Sequence, residues 1–262
     1  MDLRLAGKVA LVTGAGRGIG LAVTRALAEE GVRVAGGARD VSGELSKLAA
    51  TSTVHPVSVD LAVGDGPSRL VAETIDTYGD LHILVNNVGA MRTRVGGFLG
   101  IADEDWASMI AINLLAAVRT TRAALPSLLD RGDGSIVNIA SIHSFLPDPL
   151  VMDFGAAKAA LVNFSKALAR EVGPRGIRVN TISPGPVATD QWLGSAGVAA
   201  TIARATGAQP YDVADRVAKQ AITGRFTQPA EVANLVLMLA SSRTGNITGA
   251  DFVIDGGLTA AR

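Results

Sequence analysis

Short β-branched runs alternate with longer Ala/Leu-rich stretches along the whole chain, and this rhythm constrains the fold more than any other feature. KVALVT (8–13) reads as a strand, and IGLAVTRALAEEG (19–31) as a helix closed by Gly31. VRVAGGA, VHPVSVD and LHILVNN are further strands, separated by the helical stretches VSGELSKLAA and SRLVAETIDTYG. DEDWASMIAINLLAAVRTTRAALPSLLDRG reads as a long helix that Pro126 kinks or restarts. GSIVNIAS, IRVNTISPG and FVIDGG complete the strands, with the helix FGAAKAALVNFSKALAREVG ending at Gly173-Pro174. These strands are near-continuous apolar runs, so both faces of their sheet must be covered. Repeated β-α-β order then gives a parallel, doubly wound α/β sheet with helices on both faces. No low-complexity linker divides the chain and no short repeat is visible, so residues 1–262 read as one domain. Asp190 to Thr227, rich in Ala and Gly, interrupts the rhythm. It reads as a substrate lid (190–227), or as packing helices with no role in binding.

Charge and composition narrow the functional classes. Lys+Arg and Asp+Glu each number 24, so no basic surplus points to nucleic acid or an anionic membrane. The absence of cysteine excludes disulfides, thiolate catalysis and Cys-ligated metals. His55, His82 and His143 are scattered without metal-ligand spacing, so no metal site is expected. MDLRLAGKVALVTG carries an early acidic residue and only a short apolar run, which does not read as a signal peptide, and no apolar stretch approaches a membrane helix in length. A cytoplasmic protein is the expectation.

VTGAGRGIG stands where a strand hands over to a helix. Gly14, Gly18 and Gly20 let backbone approach a pyrophosphate, which Arg17, Ile19 and the helix N-terminus would flank. The second strand ends AGGARD. An NAD site usually places a carboxylate here for the ribose hydroxyls. Ala38 has none, and Arg39 offers a guanidinium fork to a 2′-phosphate, with Arg17 as a second positive charge. NADP(H) is therefore the expected cofactor. Asp40 is the alternative ribose partner, and both arginines on a solvated surface the alternative to any role.

Several ordered motifs now converge: Thr13, Gly14, Gly18 and Gly20 (TGxxxGxG), Asp60-Leu61, NNVG (Asn86 to Gly89), Asn113, Ser141, Lys158, PGPVAT (Pro184 to Thr189) and the closing GADFVIDGG. Over essentially its full length the chain resembles the short-chain dehydrogenase/reductase family. The resemblance implies a Rossmann-like single domain and a ketone/secondary-alcohol oxidoreductase using a nicotinamide cofactor. It implies a small-molecule carbonyl or alcohol as substrate and assembly as a homotetramer or homodimer. It implies that Asp60 binds the adenine amine beside Leu61, and that Asn87 and Gly89 line the cofactor. Pro184 and Gly185 would shape the strand end, with Val187 and Thr189 anchoring the carboxamide. NNVG differs from the usual NNAG, so slight crowding at Val88 is expected.

The same resemblance implies a proton-delivering group: Asn113, Ser141, a Tyr and Lys158. The Tyr would be the acid, and Lys would depress its pKa and hold the ribose. Ser would polarise the carbonyl, and Asn would support a water chain. In this chain the Tyr position is Phe154, four residues before Lys158. The departure is one oxygen atom, and it is the atom that carries the proton. Tyr78 and Tyr211 are far along the chain in other segments, and Asp153 points off a different helix face. Three explanations stand: an engineered Tyr→Phe exchange in a reductase, a natural binder of cofactor or ligand without catalysis, or another acid, with His143 nearest by sequence. His143 also reads as a substrate-pocket residue, and Trp192 with Leu193, Tyr211 and Phe226 as an apolar substrate wall or core.

Overall fold

Alternation of side chains explains why these strands are apolar throughout. In the computed structural model, which describes residues 1–259, the strand Val9–Thr13 (β1) sends Val9 and Leu11 to one face and Ala10 and Val12 to the other. Each set joins a separate buried cluster, so no position along the strand is solvent-facing. The same division recurs in Ile83–Asn86 (β4), Gly134–Ile139 (β5) and Ile177–Pro184 (β6). With Arg33–Ala38 (β2), Val54–Ser58 (β3) and Asp251–Ile254 (β7) they form one seven-stranded, wholly parallel sheet, in the order β3-β2-β1-β4-β5-β6-β7. The order reverses between β1 and β4, which opens a crevice at the carboxyl ends of those strands, the place where such sheets bind ligands.

The helices are Gly18–Glu29 (α1), Gly43–Thr51 (α2), Gly66–Tyr78 (α3), Asp103–Ile110 (α4), Ala116–Arg131 (α5), Met152–Val172 (α6), Asp190–Leu193 (α7), Val198–Thr206 (α8), Pro210–Ala218 (α9) and Pro229–Ala240 (α10). Local signals set several ends. Ser42 caps α2 by accepting from the Leu45 amide at 3.1 Å, and Gly79 closes α3 in the left-handed region. α1 and α10 pack together on one face, and α3 and α5 on the other.

Two expectations need correction. The long helix is irregular at Ala111–Leu115, a π turn between α4 and α5, while Pro126 lies within α5 and neither ends it nor starts a new element. Between the Ala/Gly-rich segment and the last strand stands a further helix, α10, that the strand–helix rhythm does not call for. Its PAEVANLVLMLA carries both the Pro at the first helical position and a Gln228/Glu231 capping box, signals that mark a helix start. The Ala/Gly-rich segment itself folds as α7, α8 and α9. Its buried residues Ala199, Ala203 and Val213 form a small cluster distinct from the two that line the sheet.

Candidate active site

The glycine loop is held shut by its neighbours. Gly14 is in the left-handed region at φ +70°, and a Cβ there would stand 2.8 Å from Asn87 Nδ2. A Cβ on Gly20 would fall on the Gly14 carbonyl and 2.5 Å from the same nitrogen. Asn87 Nδ2 donates to the carbonyls of Thr13 (2.9 Å) and Gly14 (3.3 Å). Thr13 Oγ1 in turn accepts from the amides of Asn87 and Val88 at 2.9 and 3.0 Å. TG and NN, 74 residues apart, are thus one hydrogen-bonded unit across the switch between β1 and β4. Val88 packs its side chain on the second core cluster. Gly18, at φ +55°, lies beside Thr189, whose Cγ2 would be 3.3 Å from a Cβ there, so the strand-end segment after β6 meets the loop.

At the end of β2, Ala38 is buried and Arg39 and Asp40 are exposed; Gly16 lies against Ala38 and the Asp40 carbonyl. Arg17 is also exposed, and neither it nor Arg39 has an ion-pair partner among the described residues. Ile19 packs at the margin of the first cluster. Asp60 is exposed and accepts from the Ala62 amide, while Leu61 is buried. A glycine cradle a side chain would fill, with two unpaired guanidiniums at its rim, fits a phosphorylated dinucleotide in shape and charge.

Beyond β4 and β5 lies the second half of the site. The π turn brings Asn113 inward: its Nδ2 donates to the Ala90 and Met109 carbonyls, and its Oδ1 accepts from the Ala90 amide. Gly89 separates Asn113 from Lys158, since a Cβ there would be 2.8 Å from Asn113 Oδ1 and 3.4 Å from Lys158 Nζ. Lys158 is buried and donates to the Ile139 carbonyl at 2.8 Å. Its ammonium stands 5.7 Å from the centroid of the Phe154 ring, as helical spacing requires. Among the described residues no carboxylate compensates it, and burial brings its pKa down to about 8. Ser141 Oγ accepts from the His143 amide at 3.2 Å, and its own proton has no acceptor among the described residues. The His143 ring meets Phe154 edge-on at 6.3 Å.

Asn113, Ser141, Phe154 and Lys158 are therefore gathered at one end of the sheet, and Phe154 itself holds no proton to give. Asp153 faces elsewhere. It is fully buried and bound by Arg94, a residue the sequence reading passed over, through Nε at 3.0 Å and through Nη2. That hydrogen bond raises the Arg94 pKa further above its already high value. The one sequence signal for this pair was a charged residue inside an otherwise apolar helix start.

On the far side, Gly185 packs on Asp255 so closely that a Cβ would stand 2.7 Å from it, which fixes the turn after Pro184. Val187 bridges to Thr227, closing the base of the segment that carries α7 to α9. Trp192 meets Phe226 edge-on at 5.6 Å, while Leu193 and Tyr211 are exposed. Among the described residues no group of His, Cys, Asp and Glu could hold a metal ion, and no helix is long and apolar enough to cross a membrane.

A doubly wound parallel sheet with a glycine cradle at its switch point, next to a buried Lys and Ser, defines a dinucleotide-binding oxidoreductase fold. A family model described as Enoyl-(Acyl carrier protein) reductase matches residues 14–259. The chain belongs to the short-chain dehydrogenase/reductase family of oxidoreductases. It is 33% identical to the 3-oxoacyl-[acyl-carrier-protein] reductase of Thermotoga maritima, over 98% of this chain and 99% of that protein. It is 34% identical to a 3-alpha-(or 20-beta)-hydroxysteroid dehydrogenase of Mycobacterium bovis, over 99% and 92% of the two chains. Among solved structures, L-sorbose reductase from Gluconobacter frateurii, complexed with NADPH and L-sorbose, superposes with a TM-score of 0.92 at 34% identity, covering 100% of each chain.

Proposed function

We propose that this chain is an NADP(H)-type ketone/secondary-alcohol oxidoreductase whose proton-delivery step is crippled by Phe154. The observation that carries the reading is the intact setting around that residue: Lys158 buried against its ring, Asn113 and Gly89 behind the Lys, and Ser141 with an uncommitted proton. The bound nicotinamide would supply or accept the hydride. The chain's own residues do the rest. The glycine cradle and the amides of α1 receive the pyrophosphate, Arg39 and Arg17 pair with the 2′-phosphate, and Asp60 with Leu61 holds the adenine. Val187 and Thr189 orient the carboxamide, and Lys158 holds the ribose. Ser141 donates to the carbonyl oxygen and stabilises charge as it develops there. The proton that oxygen needs next has no phenol to come from. The segment 190–227, with its own small core and a base pinned at Val187–Thr227, serves as the lid over a small carbonyl or alcohol. Trp192 lines its apolar wall, and His143 faces the substrate pocket. The relatives' names favour reduction of a ketone carried on an otherwise variable skeleton. We extend to the chain the family's dimeric or tetrameric assembly and a cytoplasmic setting.

Phe154→Tyr tests this reading. Restoring the hydroxyl should raise kcat for carbonyl reduction by about 10²–10⁴-fold over a panel of ketones, with NADPH affinity unchanged. Phe and Tyr differ by one oxygen, so the fold should not respond. A second reading, a cofactor- or ligand-binding protein without turnover, is favoured by Phe154 alone. It gains if both forms bind NADPH and neither turns over any substrate. Equal turnover by both forms would make His143 or water the donor, and His143→Ala would then separate the two.

A further inference from the structure

We infer that Arg94 and Asp153 form a positioning couple that ties the loop after β4 to the first turn of α6 and so sets the aim of the side chain at position 154. The inference rests on the reductase reading for its consequence in turnover, though the couple itself is a feature of the fold. Asp153 is fully buried and Arg94 is 11% exposed at its side chain. Both oxygens of Asp153 are committed: Oδ2 accepts from Arg94 Nε and Nη2, and Oδ1 accepts from the Phe154 amide at 2.9 Å. That amide belongs to the first turn of α6, where backbone donors lack helical partners. The carboxylate therefore fixes the very turn from which residue 154 projects.

Arg94 reaches two further points. Its amide donates to the Leu150 carbonyl at 2.7 Å, its Nη1 stands 3.2 Å from Asp105 Oδ2, and Arg92 holds the other Asp105 oxygen at 2.9 Å. The loop from Met91 to Ile101, the start of α4 and the entry to α6 thus meet at one guanidinium. The loop has little else to fix it, with Gly96, Gly97 and Gly100 inside it and one turn of 3₁₀ helix at Phe98–Gly100. A largely buried ion pair is poorly explained by stability, because apolar side chains of similar volume often do as well or better at such sites. What two fixed charges add is directional: the planar guanidinium locks the carboxylate's rotation, and the carboxylate locks the amide.

The test uses Arg94→Met, the double variant Arg94→Met/Asp153→Asn and Arg94→Lys, each in the Phe154→Tyr chain. Arg94→Met strands a buried carboxylate and should lower both Tm and kcat. The double variant removes that unpaired charge, so Tm should return towards the parent while kcat stays down by about tenfold to a hundredfold, with NADPH affinity unchanged. Arg94→Lys keeps the charge and should recover part of kcat. Recovery of kcat together with Tm in the double variant overturns the positioning role. A second measurement is independent of turnover: in the chain with Phe154, amide hydrogen exchange over residues 90–102 and 150–158 should speed up together in the double variant while the sheet is unaffected. Unchanged exchange overturns the coupling. If the Phe154→Tyr chain reduces nothing, the reductase reading falls and the exchange result alone decides the couple.

Discussion

The two halves of the site are built on different physical terms. At the glycine cradle, space decides. Gly20 lies so close to the Gly14 carbonyl and to Asn87 that no side chain fits, and every neighbour depends on its absence. At the reactive turn of α6, one atom decides. The Phe154 ring meets Lys158 and His143, and on the proposed reading it fills the place of a Tyr, in packing that does not register the missing oxygen. Steric specification protects the binding half from small changes, since each costs stability. The proton-delivering half has no such protection, because its essential atom makes no packing contribution. On the proposed reading, a chain of this kind loses turnover while keeping both its fold and its cradle.

That contrast breaks most sharply at position 154. The gain of about 10²–10⁴-fold in kcat expected of Phe154→Tyr should come with no change in Tm or in cofactor affinity. A parallel rise in affinity would show that the two halves are not separable. Next in size is Lys158. Its pKa is brought by burial from 10.5 to about 8, so between those values the unfolded chain binds more protons than the folded one, and stability rises with pH. Below that window the buried ammonium costs the fold on the order of 3 kcal/mol. Lys158→Met should accordingly be more stable at neutral pH, by an amount that shrinks as pH rises through the window, measured by urea unfolding across pH. A stabilising exchange that abolishes the lysine's work would mark Lys158 as retained for function.

At the cradle the sign reverses. Gly20→Ala should destabilise by about 1–3 kcal/mol through overpacking, and should weaken NADPH binding as the loop opens. Calorimetry and fluorescence titration would read the two effects together. Smallest and most selective is Arg39→Ala. If Arg39 pairs with the 2′-phosphate as proposed, its loss should weaken NADPH by about tenfold to a hundredfold, leaving NADH unaffected. Equal losses for both cofactors would place Arg39 away from the phosphate and return the ribose to Asp40.

Sequence and tertiary structure divided the information along physical lines. The strands were legible because those covered on both faces are mostly apolar, while the edge strands β3 and β7 keep exposed positions, and that patterning is a local property. The glycine cradle was legible for the same reason, since strand, loop and helix follow one another in the chain. Asn113, Ser141, Phe154 and Lys158 could be named from the family pattern, and their gathering at one end of the sheet follows from the strand order. What the chain could not disclose was pairing at a distance. Arg94 and Asp153 are 59 residues apart, and nothing in either neighbourhood announces the other. The π turn at Asn113 leaves the helical periodicity almost intact, so it is invisible until the backbone bonds are drawn. α10 carried readable start signals, yet its role came only from the face of α1 it covers. The depressed pKa of Lys158 belongs to the fold as well, because desolvation is imposed by everything that surrounds an amine and by nothing adjacent to it in sequence. The sequence by itself determined the strands, the glycine cradle and the Phe four residues before Lys158. Tertiary structure decided which charges meet, how deeply the lysine lies, and which loop holds the turn in place, since burial and electrostatics act through space.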